Sequence, residues 1–109
     1  MRIERYGSGQ RTYFGLHGWN GSHRTFLPLM DSLPEEASFL SADLPGCGES
    51  GPPATWDLNS IASEIAREFT EPVTLVGNCS GAILALLVAR KVPKCIARLV
   101  IIDAFAAWP

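Results

Sequence analysis

The chain has 109 residues, 47% of them apolar and 18% charged, with a formal net charge of -2. That length holds one domain or part of one, and the composition favours a packed core over disorder. The charge balance argues against nucleic acid as a partner, because it offers no basic field and no run of cations longer than Arg90-Lys91. The longest apolar stretch, Ala82 to Ala89, falls well short of the roughly 20 residues of a bilayer span, and Met1 to Arg5 has no apolar signal region. The expectation is a cytoplasmic protein that does not engage a membrane. Cys47, Cys79 and Cys95 are odd in number and lack C-x-x-C spacing, which predicts free thiols and gives no ground for a disulfide framework, a metal site or a cofactor.

Taken in chain order, Met1 to Tyr6 and Arg11 to Leu16 read as strands around a Gly7-Ser8-Gly9 turn. A short helix from Phe26 to Leu33 follows, with Pro28 placed for a first turn. Ser38 to Ala42 is the next strand. After an Asp57 N-cap, Leu58, Ile61, Ala62, Ile65 and Phe69 recur at helical spacing, giving a helix whose apolar face packs on the sheet and which ends at Glu71-Pro72. Val73 to Val76 and Arg98 to Ile102 are nearly uninterrupted apolar runs, the pattern of strands buried on both faces. Between them, Ser80 to Lys91 reads as a buried helix carrying Arg90 and Lys91 at its C-terminus, where the dipole favours cations, and stopped by Pro93. Strands alternating with helices predict an α/β fold, a mostly parallel sheet with helices on its faces.

Three stretches carry chemistry. In Val73-Thr-Leu-Val-Gly-Asn-Cys-Ser-Gly-Ala82 a buried strand runs straight into a buried helix. Gly77 and Gly81 remove the side chains that would crowd a sharply bent residue between them. That residue is Cys79. A thiol there sits at a helix N-terminus, where unpaired N–H groups and the dipole favour negative charge. The plainer reading is a small buried cysteine in an ordinary turn, the commoner fate of that residue. Leu16-His17-Gly18-Trp19 follows a strand, and by itself is equally a buried tryptophan beside a turn glycine. Asp43-Leu-Pro-Gly-Cys-Gly-Glu-Ser50 is the most specific of the three.

Two other patterns fail on context. Gly46 to Gly51 spells G-x-G-x-x-G, but that fingerprint should open a helix and Pro52-Pro53 follow at once. A cysteine phosphatase loop needs an arginine where this chain has Ala85.

The order of the three motifs resembles that of the α/β-hydrolase family over essentially the whole chain. His-Gly-x matches the oxyanion segment, D-x-P-G-x-G-x-S the loop after the next strand, and G-x-C-x-G the nucleophile elbow. The resemblance implies that residues 1–109 form the N-terminal part of a catalytic domain, an incomplete version of that fold. It further implies attack by Cys79 on a small-molecule ester, thioester or related carbonyl, with the backbone N–H groups of Trp19 and Ser80 holding the oxyanion and the acyl group passing to water or another acceptor. A cysteine at the elbow is similar to dienelactone hydrolases and polyhydroxyalkanoate synthases.

The family's histidine base comes from beyond the last strand of this chain. His17 belongs to the oxyanion segment, where its usual role is structural, and His23 is expected at the solvated entrance to the first helix. Asp103 stands where some members, haloalkane dehalogenases among them, carry their acid; the alternative is a polar strand-end residue. Asp43 and Glu49 are expected to form the loop. The last strand should leave an apolar edge open to a complementing chain or to self-association, as in a truncated product, a proteolytic half or one partner of a split enzyme. Two further functional classes stay open: a non-catalytic scaffold whose elbow cysteine is inert, and a thiol redox sensor pairing Cys79 with Cys47.

Overall fold

The computed structural model describes residues 1–18 and 21–103. Five strands, β1 (Ile3–Gly7), β2 (Arg11–Leu16), β3 (Ala37–Ala42), β4 (Val73–Asn78) and β5 (Ile96–Ile102), form one sheet in the order β1-β3-β2-β4-β5. β1 runs antiparallel to β3, and every other pair is parallel. The strands on either side of the Gly7–Gly9 turn therefore do not pair with each other. β3 lies between them, because the turn swings the chain across one strand position and leaves β1 to close that edge.

Side chains alternate across the sheet as the strand period requires. Phe14 and Leu16 of β2 and Val73 and Leu75 of β4 face the two α-helices, α1 (Leu58–Ala66) and α2 (Ser80–Lys91), in the larger core with Ala62, Ile65, Leu84, Ala85 and Val88. On the opposite face, Val76 and Phe39 pack with Phe26 in a smaller cluster bordered by Tyr13, Met30 and Leu33.

Phe26 lies on a 3-10 helix, His23–Ser32, that starts three residues before the predicted helix. Ser22 caps it: its side chain accepts from the Arg24 N–H at 3.1 Å, and its own N–H donates to the Thr25 hydroxyl at 3.3 Å. With that start Pro28 falls in the interior, where it supplies no N–H and its ring crowds the carbonyl four residues back. The segment takes the tighter winding.

α1 has its expected cap, the Ser60 N–H donating to Asp57 Oδ1 at 2.9 Å. It ends at Ala66, short of Phe69, although Phe69 is still buried and meets Phe14 edge-on with ring centroids 4.8 Å apart. Leu58 departs from the predicted buried stripe and is 50% exposed. Among the described residues β5 is the edge strand, with one edge open as the resemblance implies, but the run that reads as buried on both faces has Val100 and Ile102 at 40% and 36% exposure. An apolar run shows that a strand is meant to be covered, and says nothing of which element covers it.

Candidate active site

The parallel strands β2, β3 and β4 end together, and the three motifs meet at their C-terminal ends. The turn from β4 into α2 passes through Cys79, whose φ of 56° and ψ of -119° lie where a side chain is strained. Two glycines make that bend sterically feasible. A Cβ on Gly77 would stand 2.7 Å from the Ala82 Cα and 2.8 Å from the Ala85 Cβ, so a side chain there would push α2 off the sheet. A Cβ on Gly81 would run into the carbonyl oxygens of Leu16 and His17 at the end of β2. The bend is also tied to β5, since the Cys79 N–H donates to the Ile102 carbonyl at 2.9 Å. Cys79 is partly exposed at the N-terminus of α2, where its carbonyl accepts from the Ala82 N–H at 3.0 Å, and the N–H of Ser80, the first helical residue, precedes every intrahelical acceptor.

The His17-Gly18 segment lies directly against this bend. A Cβ added to Gly18 would be 2.9 Å from the Cys79 Cβ, so glycine is what allows the approach. Trp19, expected to supply the second oxyanion donor, lies outside the described residues.

His17 is fully buried. Its Nε2 accepts from the Leu44 N–H at 3.0 Å, which requires that nitrogen to be unprotonated. The proton is then on Nδ1, which donates to the Gly18 carbonyl at 2.8 Å. Burial lowers the His17 pKa from its ordinary value of 6.5, only partly opposed by the Gly18 hydrogen bond and by Asp43. His17 is thus a neutral strut between the oxyanion segment and the Asp43–Ser50 loop. Both nitrogens are committed, and neither is available as a base.

Asp43 is the hub of that loop. Its fully buried carboxylate accepts from the His23 N–H (2.6 Å), His23 Nδ1 (2.9 Å) and the Glu49 N–H (2.9 Å). Burial alone would raise its pKa, but these bonds outweigh it and hold the carboxyl below the ordinary value. The loop closes where Ser50 donates to the Asp43 carbonyl at 2.5 Å and accepts from the Arg2 N–H at 2.8 Å. His23, expected at a solvated helix entrance, instead has a side chain only 14% exposed and joined to Asp43. A buried carboxylate needs donors, and the first residue of the 3-10 helix supplies two.

Asp103 follows β5, one residue after the carbonyl that holds Cys79. It is exposed and left-handed, with φ of 53°.

A cavity of about 680 Å³ opens beside the bend, reached by Gly18 and Ser80 and walled by the Leu44–Gly48 stretch, Trp56, Leu58, Ile61, Ile83 and Leu84. The sequence reading singled out the Leu44–Gly48 stretch but missed the other walls. Ile61 was assigned to the sheet-packing stripe of α1, and Trp56 carried no motif; the available signal was a large aromatic placed just before a helix cap. Among the described residues no group of three His, Cys, Asp or Glu could hold a metal ion, and no helix is long and apolar enough to cross a membrane.

The chain has known relatives. A pimeloyl-[acyl-carrier protein] methyl ester esterase of Methylococcus capsulatus is 30% identical over 100 residues, covering 92% of this chain and 39% of that protein. The esterase of the same name from Neisseria meningitidis serogroup A is 29% identical over 91 residues, covering 84% of this chain and 29% of that protein. Among solved structures, the esterase EaEST from Exiguobacterium antarcticum superposes with a TM-score of 0.85 at 30% identity, over 95% of this chain and 41% of that one. The chain thus spans well under half the length of these relatives. The sequence model of the alpha/beta hydrolase family matches residues 15–109. That match covers most of the chain, and the chain belongs to the alpha/beta hydrolase family.

Proposed function

We propose that this chain is the nucleophile-bearing part of a hydrolase that acts on an ester or thioester carbonyl through Cys79. The observation that carries the reading is the positive φ of Cys79 between two glycines that tolerate no side chain. Strain of this kind costs about 1–3 kcal/mol and persists where the surroundings enforce it. Here it presents a thiol at the N-terminus of α2. The esterase names of the relatives support the substrate class.

In the proposed reaction the Cys79 thiolate adds to the carbonyl carbon, and the carbonyl electrons move onto oxygen. The Ser80 N–H, together with that of Trp19, stabilises this oxyanion. Collapse breaks the bond to the alcohol or thiol leaving group, which takes up a proton, and water then cleaves the acyl-cysteine. Asp103 is the proposed acid, on the strength of its place beside the carbonyl that anchors Cys79. His17 is committed elsewhere, so the histidine base lies in further chain of the same protein or in a complementing one.

A second reading, a non-catalytic interaction module of the same fold, is favoured by the engagement of both histidines in structural bonds and by the β5 edge, which is unpaired among the described residues. Intact-mass spectrometry after brief exposure to an activated acyl ester separates the two. Hydrolase chemistry predicts one acyl adduct that disappears in Cys79→Ser, with the serine variant losing at least about 100-fold in acylation rate. An unmodified chain at neutral pH would sink autonomous acylation by this chain and leave either the interaction module or a part that acts only beside the chain bearing its base.

A further inference from the structure

We infer that the cavity beside the bend receives an uncharged alkyl chain of the ligand, and that Trp56 is the residue setting how well that chain is held. The inference deepens the hydrolase reading and rests on it for the link to catalysis, although the cavity itself is independent of Cys79.

The first argument is shape and size. About 680 Å³ lies within the roughly 300–1,000 Å³ range of small-molecule sites. The cavity touches Ser80 and Gly18, the two residues flanking the Cys79 side chain, so a chain lying in it extends away from a group held at the bend.

The second argument is charge. No Asp, Glu, Lys or Arg is among the described lining residues, and their two titratable side chains are both uncharged near neutrality. Burial keeps His17 neutral. Burial, reinforced by the nearby Asp43 carboxylate, raises the Cys47 pKa and keeps that thiol protonated. Asp43 itself is absent from the wall, its oxygens occupied by three donors. A charged group entering here would lose its water and meet no partner. The same protonated Cys47 argues against its acting as a second nucleophile.

The third argument is Trp56. It precedes the Asp57 cap of α1 and lies over Gly46, whose absent side chain makes room for the ring: an added Cβ would stand 2.9 Å from Cζ3. Yet 71% of the residue is exposed, the most of any large apolar residue among those described, with half-exposed Leu58 close by at the same cavity. Tryptophan contributes large binding area when a ligand covers it. Its removal costs no core packing, so the side chain can be tested without loss of the fold.

The test titrates purified protein with 1-butanol, 1-hexanol and 1-octanol, which cannot acylate Cys79, and reads binding by calorimetry. Affinity is expected to rise about 4-fold per added methylene, the value of burying one CH₂. Trp56→Ala is expected to weaken 1-octanol about 10-fold and Trp56→Phe by no more than about 3-fold. Cys79→Ala should bind 1-octanol like the parent while forming no acyl adduct, so a failure of the nucleophile assignment leaves this result intact. Affinity independent of chain length, or 1-octanol bound equally well by Trp56→Ala, would overturn the inference.

Discussion

The Cys79 bend and the Asp43 loop sit side by side at the ends of the same strands, and they are held by opposite means. The bend is shaped by missing atoms: Gly18, Gly77 and Gly81 each stand where a Cβ would strike a neighbour, and no side-chain cap holds the α2 N-terminus. The loop is held by polar bonds converging on one buried carboxylate, with Ser50 and His17 closing its ends. A site made by exclusion fails when something is added. One made by hydrogen bonding fails when a partner is removed or protonated.

That contrast can be broken most severely at the hub. Asp43→Ala strands three donors, two of them backbone N–H groups, and should cost about 4 kcal/mol of stability in urea unfolding, at about 1–3 kcal/mol for each unsatisfied buried group. Asp43→Asn, which keeps the volume and one acceptor oxygen, should lose distinctly less; equal losses would mean that packing rather than hydrogen bonding holds the loop. At the bend the matching change is an addition. Gly81→Ala drives a methyl into the backbone of β2, which cannot yield as a side-chain tip would, and should cost about 3 kcal/mol.

Cys79→Gly runs the other way. Relief of the positive φ, less the entropy cost of glycine, should raise stability by about 1 kcal/mol while removing the acyl adduct. A loss of stability on this change would show that the thiol contributes packing worth more than the strain.

Acid sharpens the comparison, because the polar region holds a histidine and a carboxylate whose pKa values folding lowers. The His17 pKa is lowered by folding, so above pH 6.5 the residue is neutral in both states and contributes no pH dependence. As pH falls below 6.5 the unfolded chain takes up a proton that the folded one excludes, and stability drops until the folded pKa is reached. Asp43, also lowered, contributes stability that is present above its ordinary value of 3.8 and is lost as pH falls through its folded pKa. Both act in the same direction, the first window opening below 6.5 and the second below 3.8. His17→Gln should abolish the first window and leave the second, as read from unfolding midpoints across pH. The smallest effect belongs to the rim: Glu49, well exposed and paired with Arg2 Nε at 2.9 Å, should cost no more than about 0.5 kcal/mol when changed to Gln.

Much of this site was legible in the sequence because its constraints are local. Gly77 and Gly81 flank the nucleophile position at fixed spacing, and a strand running directly into a helix forces the bend whatever surrounds it. The Asp57 cap and the start and end of α2 follow from the same short-range rules. Asp43 and Glu49 were rightly read as loop formers, yet the partnership of Asp43 with His23, 20 residues away, was not visible, since nothing local marks which donors will meet a buried carboxylate. Tertiary structure alone placed β3 between β1 and β2, exposed Val100 and Ile102 of β5 and turned Trp56 and Ile61 toward a cavity. Glycine spacing and hydrophobic period record what the backbone does over a few residues. Strand order, burial of a given apolar run and the walls of a cavity depend on which distant segments arrive beside it, and that is decided only when the sheet assembles.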